Sequence, residues 1–335
     1  MGMLVEGDWI ADDQRLRNAR DGNFIRPKTS FRSCVTADGS SGFAAEPNRY
    51  HLYVSLSCPW AHRSLLLRAL KGLEDAIPIS IVAPWTGENG WTFENYPGAT
   101  GDRCNDFRYL YELYLKSRRS YTGRVTVPVL WDTKTNTIVN NESAEIMRML
   151  NSEFNAFARY PDDDYYPADS RQEIDELNEL IYRTVNHGVY RAGFAGVQDQ
   201  YEGAVADLFK TLDVLDERLS EQRYLCGERV TEADWRLFPT LVRFDAVYYI
   251  HFKCSVRRLV DYPNLFDYTR ELYQRPGVAA TVNFEHIKRH YYGSHVRINP
   301  SGLVPVGPPQ RFDIPHTRGR SQEKKQGDRV GLAPA

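Results

Sequence analysis

The chain has 335 residues, which is enough for about two domains of ordinary size. Its composition, 42% hydrophobic and 26% charged, is typical of a globular protein. A net charge of −2 argues against nucleic acid or an anionic membrane surface as the main partner. No apolar run approaches the ~18 residues of a membrane span, and the N-terminal sequence lacks the pattern of a secretory signal.

Residues 1–48 are polar and interrupted by Gly and Pro, which predicts a loosely structured N-terminal arm that covers a surface. Residues 49–155 then show regular periods in the order strand, helix, strand, helix, β-hairpin, helix. A stretch from about Thr86 to Arg103 interrupts this order and is typical of a loop. The order predicts a thioredoxin-like α/β domain.

The rest of the chain has a different character. An acidic, Pro-containing linker is expected over 156–169, followed by an all-α C-terminal domain over 170–290. Within it, Thr231 and Asp234 have the spacing of a helix capping box. Residues 291–335 are rich in Pro and Gly, which predicts an extended C-terminal segment that ends in a disordered tail.

Cys58 occupies the most informative position in the sequence, between a predicted strand and a predicted helix that begins at Pro59. Backbone N–H groups and the positive end of the helix dipole favour a thiolate there, and a thiolate is a nucleophile. His62 and Arg63 offer further positive charge. We therefore predict a reactive cysteine with a lowered pKa; the alternative is a buried structural cysteine.

The neighbouring residues indicate which thiol chemistry is expected. Ala61 stands where a dithiol oxidoreductase has its second cysteine, so an external thiol must release any mixed disulfide on Cys58. The other four cysteines are unevenly spaced, which indicates free thiols and a reducing, cytoplasmic compartment. A Val-Pro pair, with a cis proline of the thioredoxin type at Pro128, and a helix start near Ser143 together favour a glutathione site.

Several motifs together resemble the glutathionyl-hydroquinone reductases, the Xi class of glutathione transferases. They are SCPWAHR, VTVPVLWD, NNESAEI, GVYRAGFA, TEADWRLF and HYYGSHVRINPSGLVPVGP. The resemblance implies the two-domain glutathione transferase fold, glutathione as cofactor and a homodimer. No metal site is predicted. It also implies reduction of glutathionyl-hydroquinones through a mixed disulfide between Cys58 and glutathione.

The resemblance assigns roles to individual residues. It makes Cys58 the nucleophile, and places Tyr190 and Tyr291 against the quinone ring, with Tyr292 as the alternative to Tyr291. The residues that it implies for glutathione binding are Trp91 over the peptide, Arg124 at a carboxylate, Val127 at the cysteinyl backbone, and Glu142 and Ser143 at the γ-glutamyl end.

Two other functions share parts of this pattern. An omega-like thiol transferase, acting on dehydroascorbate or protein–glutathione disulfides, would use Cys58 without an aromatic pocket. A non-catalytic interaction module could use the same fold, although it would have no need of a reactive thiol. A conjugating transferase is disfavoured, because those enzymes have Tyr or Ser in place of Cys58.

Overall fold

The computed structural model describes residues 2–11, 22–24 and 26–318. Its strands are β1 (Met3–Val5), β2 (Asp8–Ile10), β3 (Tyr50–Val54), β4 (Ile79–Ile81), β5 (Thr86–Gly87), β6 (Gly90–Trp91), β7 (Gly123–Arg124), β8 (Val129–Asp132) and β9 (Thr137–Asn140). Its α-helices are α1 (Pro59–Leu70), α2 (Leu110–Ser117), α3 (Ser143–Ser152), α4 (Arg171–Ile181), α5 (Gly188–Gly193), α6 (Gln198–Glu221), α7 (Glu232–Leu241), α8 (Pro263–Tyr273) and α9 (Phe284–Ser294).

The first domain is built on a four-stranded sheet in the order β4-β3-β8-β9. Strand β3 pairs parallel to β4 and antiparallel to β8, and β8 and β9 form the predicted hairpin. All five residues of β3 are buried, as expected of a central strand covered on both faces. The thioredoxin-like α/β domain predicted from the sequence is therefore confirmed.

The second domain contains α4 to α9 and no strand among the described residues. Its helix α7 begins with the predicted capping box, in which the Thr231 backbone N–H donates to Asp234 Oδ2 at 2.7 Å. Helices α1 and α7 contact each other across the domain boundary. The β3–α1 connection that carries Cys58 therefore lies beside the helical domain.

The arm is more structured than its sequence predicts. Strands β1 and β2 form a hairpin, and β1 also pairs with β7, which joins residues 3–5 to the first domain. The expected loop from Thr86 to Arg103 likewise contains the short β5–β6 hairpin. Strands of two or three residues are too short to produce a visible period in the sequence.

The C-terminal boundary also differs. Helix α9 ends at Ser294, so it crosses the predicted domain boundary at residue 290, and the extended segment begins after it. The remaining predicted boundaries stay predictions, and most of the expected tail, 319–335, lies outside the described residues. No helix in the described ranges has the length and apolar character needed to cross a membrane.

Candidate active site

Cys58 follows β3 after a short turn and occupies the N-cap position of α1, with Pro59 as the first helical residue. Its backbone is extended, at φ −78° and ψ 121°, so the thiol stands at the open end of the helix. The thiol donates a weak hydrogen bond to the Val127 carbonyl oxygen, with an Sγ–O distance of 3.7 Å. The peptide bond after Val127 is cis, as predicted for a thioredoxin-like domain.

A pocket surrounds this thiol at the junction of the two domains and the arm. Its lining residues are Arg26, Cys58, Pro59, Trp60, Trp91, Thr126, Val127, Tyr190, His290, Tyr291 and His295. Five of the eight residues predicted for the site are among them. The indole of Trp91 is buried and stacks on the His290 ring, with centroids 4.8 Å apart.

The helical domain contributes three tyrosines whose hydroxyl groups form a chain. The Tyr190 and Tyr291 hydroxyl oxygens are 2.5 Å apart, and the Tyr248 hydroxyl lies 2.9 Å from that of Tyr291. Burial raises the pKa of all three phenols above the ordinary value, so each is protonated at neutral pH and can donate a hydrogen bond. The Tyr292 hydroxyl instead donates to the Ala246 carbonyl, 3.2 Å away, and does not line the pocket.

Three of the predicted residues are not in the pocket lining. Glu142 caps α3 by accepting from the Ala144 backbone N–H, and it also accepts from the Thr29 hydroxyl at 3.3 Å. Ser143 is buried at the start of the same helix. Arg124 lies in β7 and pairs with Met3 of the arm.

The positive charge near Cys58 does not come from His62 and Arg63, as the sequence predicts. His62 is fully buried, and burial together with the Arg243 charge lowers its pKa well below the ordinary value, so it is neutral. Arg63 points to the Asn186 amide oxygen, at 2.6 Å. The charges that lower the Cys58 pKa are those of Arg243 and Arg26. The prediction that His62 is charged was therefore wrong.

Arg243 stabilises the turn before Cys58 through hydrogen bonds to its backbone. Its guanidinium is fully buried and donates to the carbonyl oxygens of Leu56 and Ser57 at 3.1 and 3.0 Å. It also donates to His62 Nδ1 at 2.9 Å. Among the described residues no carboxylate lies within salt-bridge distance of it. A buried cation without a described carboxylate partner therefore contacts the turn that precedes Cys58.

The net effect on the Cys58 pKa is the opposite of the sequence-based prediction. Burial raises it above the ordinary value, and this outweighs the backbone N–H groups of Ala61 and Trp60 and the two arginines, all of which lower it. The thiol form therefore predominates near neutral pH in the ligand-free protein. The local sequence could indicate that Cys58 lies at the start of a helix. It could not show how far the fold shields the Cys58 sulfur from water.

This shift predicts how Cys58 reacts with iodoacetamide. Only the thiolate reacts, so below a raised pKa the rate should increase about tenfold per pH unit between about pH 6 and about pH 8.5, without a plateau. Quantifying the Cys58 adduct by mass spectrometry, with free glutathione as the reference thiol, measures this profile. A plateau below about pH 7 would show that the positive groups outweigh burial.

Sequence reasoning missed several residues of this site. Trp60 and His290 line the pocket and lie inside the motifs SCPWAHR and HYYGSH, so the sequence could have indicated both as site residues. Tyr248 and Arg243 lie in a helical stretch with no distinguishing pattern. Arg26 belongs to the arm, for which the sequence predicts no defined contacts.

Comparison with known families agrees with the two-domain organisation. The family described as "Glutathione S-transferase, N-terminal domain" matches residues 57–153. The family described as "Glutathione S-transferase, C-terminal domain" matches residues 198–271.

Relatives of known structure match nearly the whole chain. Glutathionyl-hydroquinone reductase YqjG of Escherichia coli is 53% identical over 325 residues, which cover 95% of this chain and 98% of the relative. The glutathione-bound structure of YqjG superposes with a TM-score of 0.87 and covers 95% of this chain and 99% of that one. A Xi class transferase from Natrialba magadii has 48% identity and a TM-score of 0.90, and covers 96% of this chain and 97% of that one.

Proposed function

Because the chain belongs to the glutathionyl-hydroquinone reductases, the Xi class of glutathione transferases, we propose that it reduces glutathionyl-hydroquinones to hydroquinones. Glutathione is the reductant and leaves as glutathione disulfide. The observation that most strongly supports this proposal is the pocket that places one cysteine, Cys58, beside the hydroxyl pair of Tyr190 and Tyr291.

The first half-reaction transfers the glutathionyl group to the enzyme. The Cys58 sulfur attacks the sulfur of the conjugate, a disulfide forms, and the bond between that sulfur and the ring carbon breaks. Both sulfurs are oxidised by one electron each as they form the disulfide, and the ring carbon is reduced by two electrons. The Cys58 thiol gives up one proton in this step, which balances the hydrogen that the hydroquinone gains, so the step needs no proton from outside.

The leaving carbon requires stabilisation, because an aryl anion is a poor leaving group. If the ring first takes its keto form, the electron pair passes to a ring oxygen instead. The protonated hydroxyls of Tyr190 and Tyr291 can donate to that oxygen and relay the proton. A second glutathione then attacks the Cys58–glutathione disulfide, which releases glutathione disulfide and restores the thiol.

Binding of glutathione uses the thioredoxin-like side of the site in this proposal. Val127 pairs with the cysteinyl backbone, and Trp91, held by its stacking on His290, covers the peptide. Glu142 and Ser143 hold the γ-glutamyl end at the start of α3, and Arg124 meets a carboxylate.

Substrate preference distinguishes this function from an omega-like thiol transferase. We expect kcat/KM for glutathionyl-menadiol to exceed that for a non-aromatic glutathione mixed disulfide by at least tenfold, because only the former uses the tyrosine hydroxyls. Turnover of both substrates, followed by the formation of glutathione disulfide, measures this ratio. A preference for the mixed disulfide would favour the transferase, and no turnover of either would favour an interaction module.

We also propose a homodimer and a cytoplasmic location. All five cysteines lie in the described part of the chain and are free thiols, which supports a reducing compartment. The homodimer proposal depends on the family resemblance, and sedimentation velocity at micromolar concentration tests it.

A further inference from the structure

Arg26 brings the N-terminal arm into the active-site pocket. Its guanidinium carbon lies 4.7 Å from the centroid of the Trp60 ring and 5.1 Å from that of Tyr190. The same residue lines the pocket that contains Cys58. A cation is therefore held against the two rings that border the tyrosine side of the site.

Two buried hydrogen-bond donors in this part of the pocket have no acceptor in the described structure. Arg26 Nε is buried and has no hydrogen-bond partner in the described structure, and the same is true of Trp60 Nε1. No described carboxylate lies within salt-bridge distance of Arg26. Burying donors without acceptors costs free energy, and the cost is larger for a charged group. Both donors border one pocket, so a ligand that carries an acceptor there would satisfy them.

The position of Arg26 favours the aromatic part of a ligand over its peptide part. Its neighbours are flat side chains, Trp60 and Tyr190, and Tyr190 belongs to the hydroxyl chain. The residues proposed for the glutathione carboxylate and the γ-glutamyl end, Arg124 and Glu142, lie on β7 and at the start of α3, outside the pocket lining.

We propose that Arg26 is a specificity-determining residue that binds a ring oxygen of the hydroquinone and stabilises its anionic form. This inference rests on the proposed function. When Cys58 forms its disulfide with the glutathionyl sulfur, the electron pair of the broken carbon–sulfur bond moves to the ring oxygen of the keto tautomer. The product is a hydroquinone monoanion, which the proton from the Cys58 thiol then neutralises. A guanidinium beside that oxygen opposes the developing charge.

Comparison of two substrates tests this role. In Arg26→Gln, kcat/KM for glutathionyl-menadiol should fall by about a hundredfold, the loss expected on removal of one oxyanion donor. The kcat/KM for a non-aromatic glutathione mixed disulfide should fall at least tenfold less, since that substrate has no ring oxygen and loses only the contribution of the Arg26 charge to the Cys58 pKa. The second substrate also shows that the variant is folded. Arg26→Lys keeps the charge and should recover part of the loss.

Lys28→Gln is the matched control, because it removes an exposed arm cation two residues away. It should leave both activities unchanged. Equal losses on both substrates in Arg26→Gln would overturn the proposal, since Arg26 would then act through Cys58 or glutathione alone and not on the ring oxygen. Unchanged activity with glutathionyl-menadiol would also overturn it. Failure of the unmodified enzyme to reduce glutathionyl-menadiol is a separate result, which rejects the proposed function itself.

Discussion

Replacing Cys58 with alanine is expected to reduce turnover of glutathionyl-menadiol by a factor of roughly a thousand or more, the loss typical of removing a nucleophile. No other described thiol lines the pocket, so nothing can form the mixed disulfide in its place. The fold should be little affected, because the hydrogen bond from the Cys58 thiol to the Val127 carbonyl oxygen is long and weak. Stopped-time assays of hydroquinone release measure the loss.

Cys104→Ala provides the control for this change. Cys104 is also partly buried, but it lies outside the pocket, so the variant should retain nearly full activity. Retention of most activity by Cys58→Ala would mean that another group is the nucleophile. Loss of activity in both variants, with lowered melting temperatures, would indicate misfolding instead.

Replacing Tyr291 with phenylalanine should reduce kcat for glutathionyl-menadiol by roughly a hundredfold, in the range for a lost general acid. The substitution removes the central hydroxyl of the chain, which contacts both Tyr190 and Tyr248. Exchange with a non-aromatic mixed disulfide should be nearly unaffected, because that reaction leaves no charge on a ring. The ratio of the two activities is therefore the measurement.

Tyr292→Phe is a matched control at the adjacent position. Its hydroxyl contacts only the Ala246 carbonyl among the described residues, away from the pocket. The variant should lose about 1 kcal/mol of stability and little activity. If Tyr292→Phe loses activity while Tyr291→Phe does not, the assignment between these neighbours is reversed.

The parts of the fold that local sequence determines were predicted correctly. Strand β3 and helix α1 have clear periods, and Pro59 marks the first helical residue. The arm hairpin was missed because β1 also needs β7, about 120 residues away, as a partner. The helical domain was expected to end at residue 290, before the last turn of α9, because the residues that follow are rich in Pro and Gly. Burial of Tyr291 and Tyr292 against the domain holds that last turn in place.

In the active site, too, the features set by local sequence could be predicted, and those set by distant residues could not. The helix start at Cys58 could be predicted from its motif, whereas the pKa of its sulfur depends on burial by the fold and on Arg243 and Arg26, which approach from other parts of the chain. The Tyr190–Tyr291 hydrogen bond joins residues 101 positions apart. Family resemblance identified both tyrosines, but only the fold revealed Tyr248 as the third member of the chain.

Trapping the enzyme during turnover tests the central mechanism most directly. The protein is mixed with glutathionyl-menadiol without free glutathione, quenched with acid, digested and analysed by mass spectrometry. We predict one glutathione in disulfide linkage on the peptide that contains Cys58, together with one equivalent of released menadiol. An adduct on a different cysteine, or menadiol release without any adduct, would contradict the mechanism.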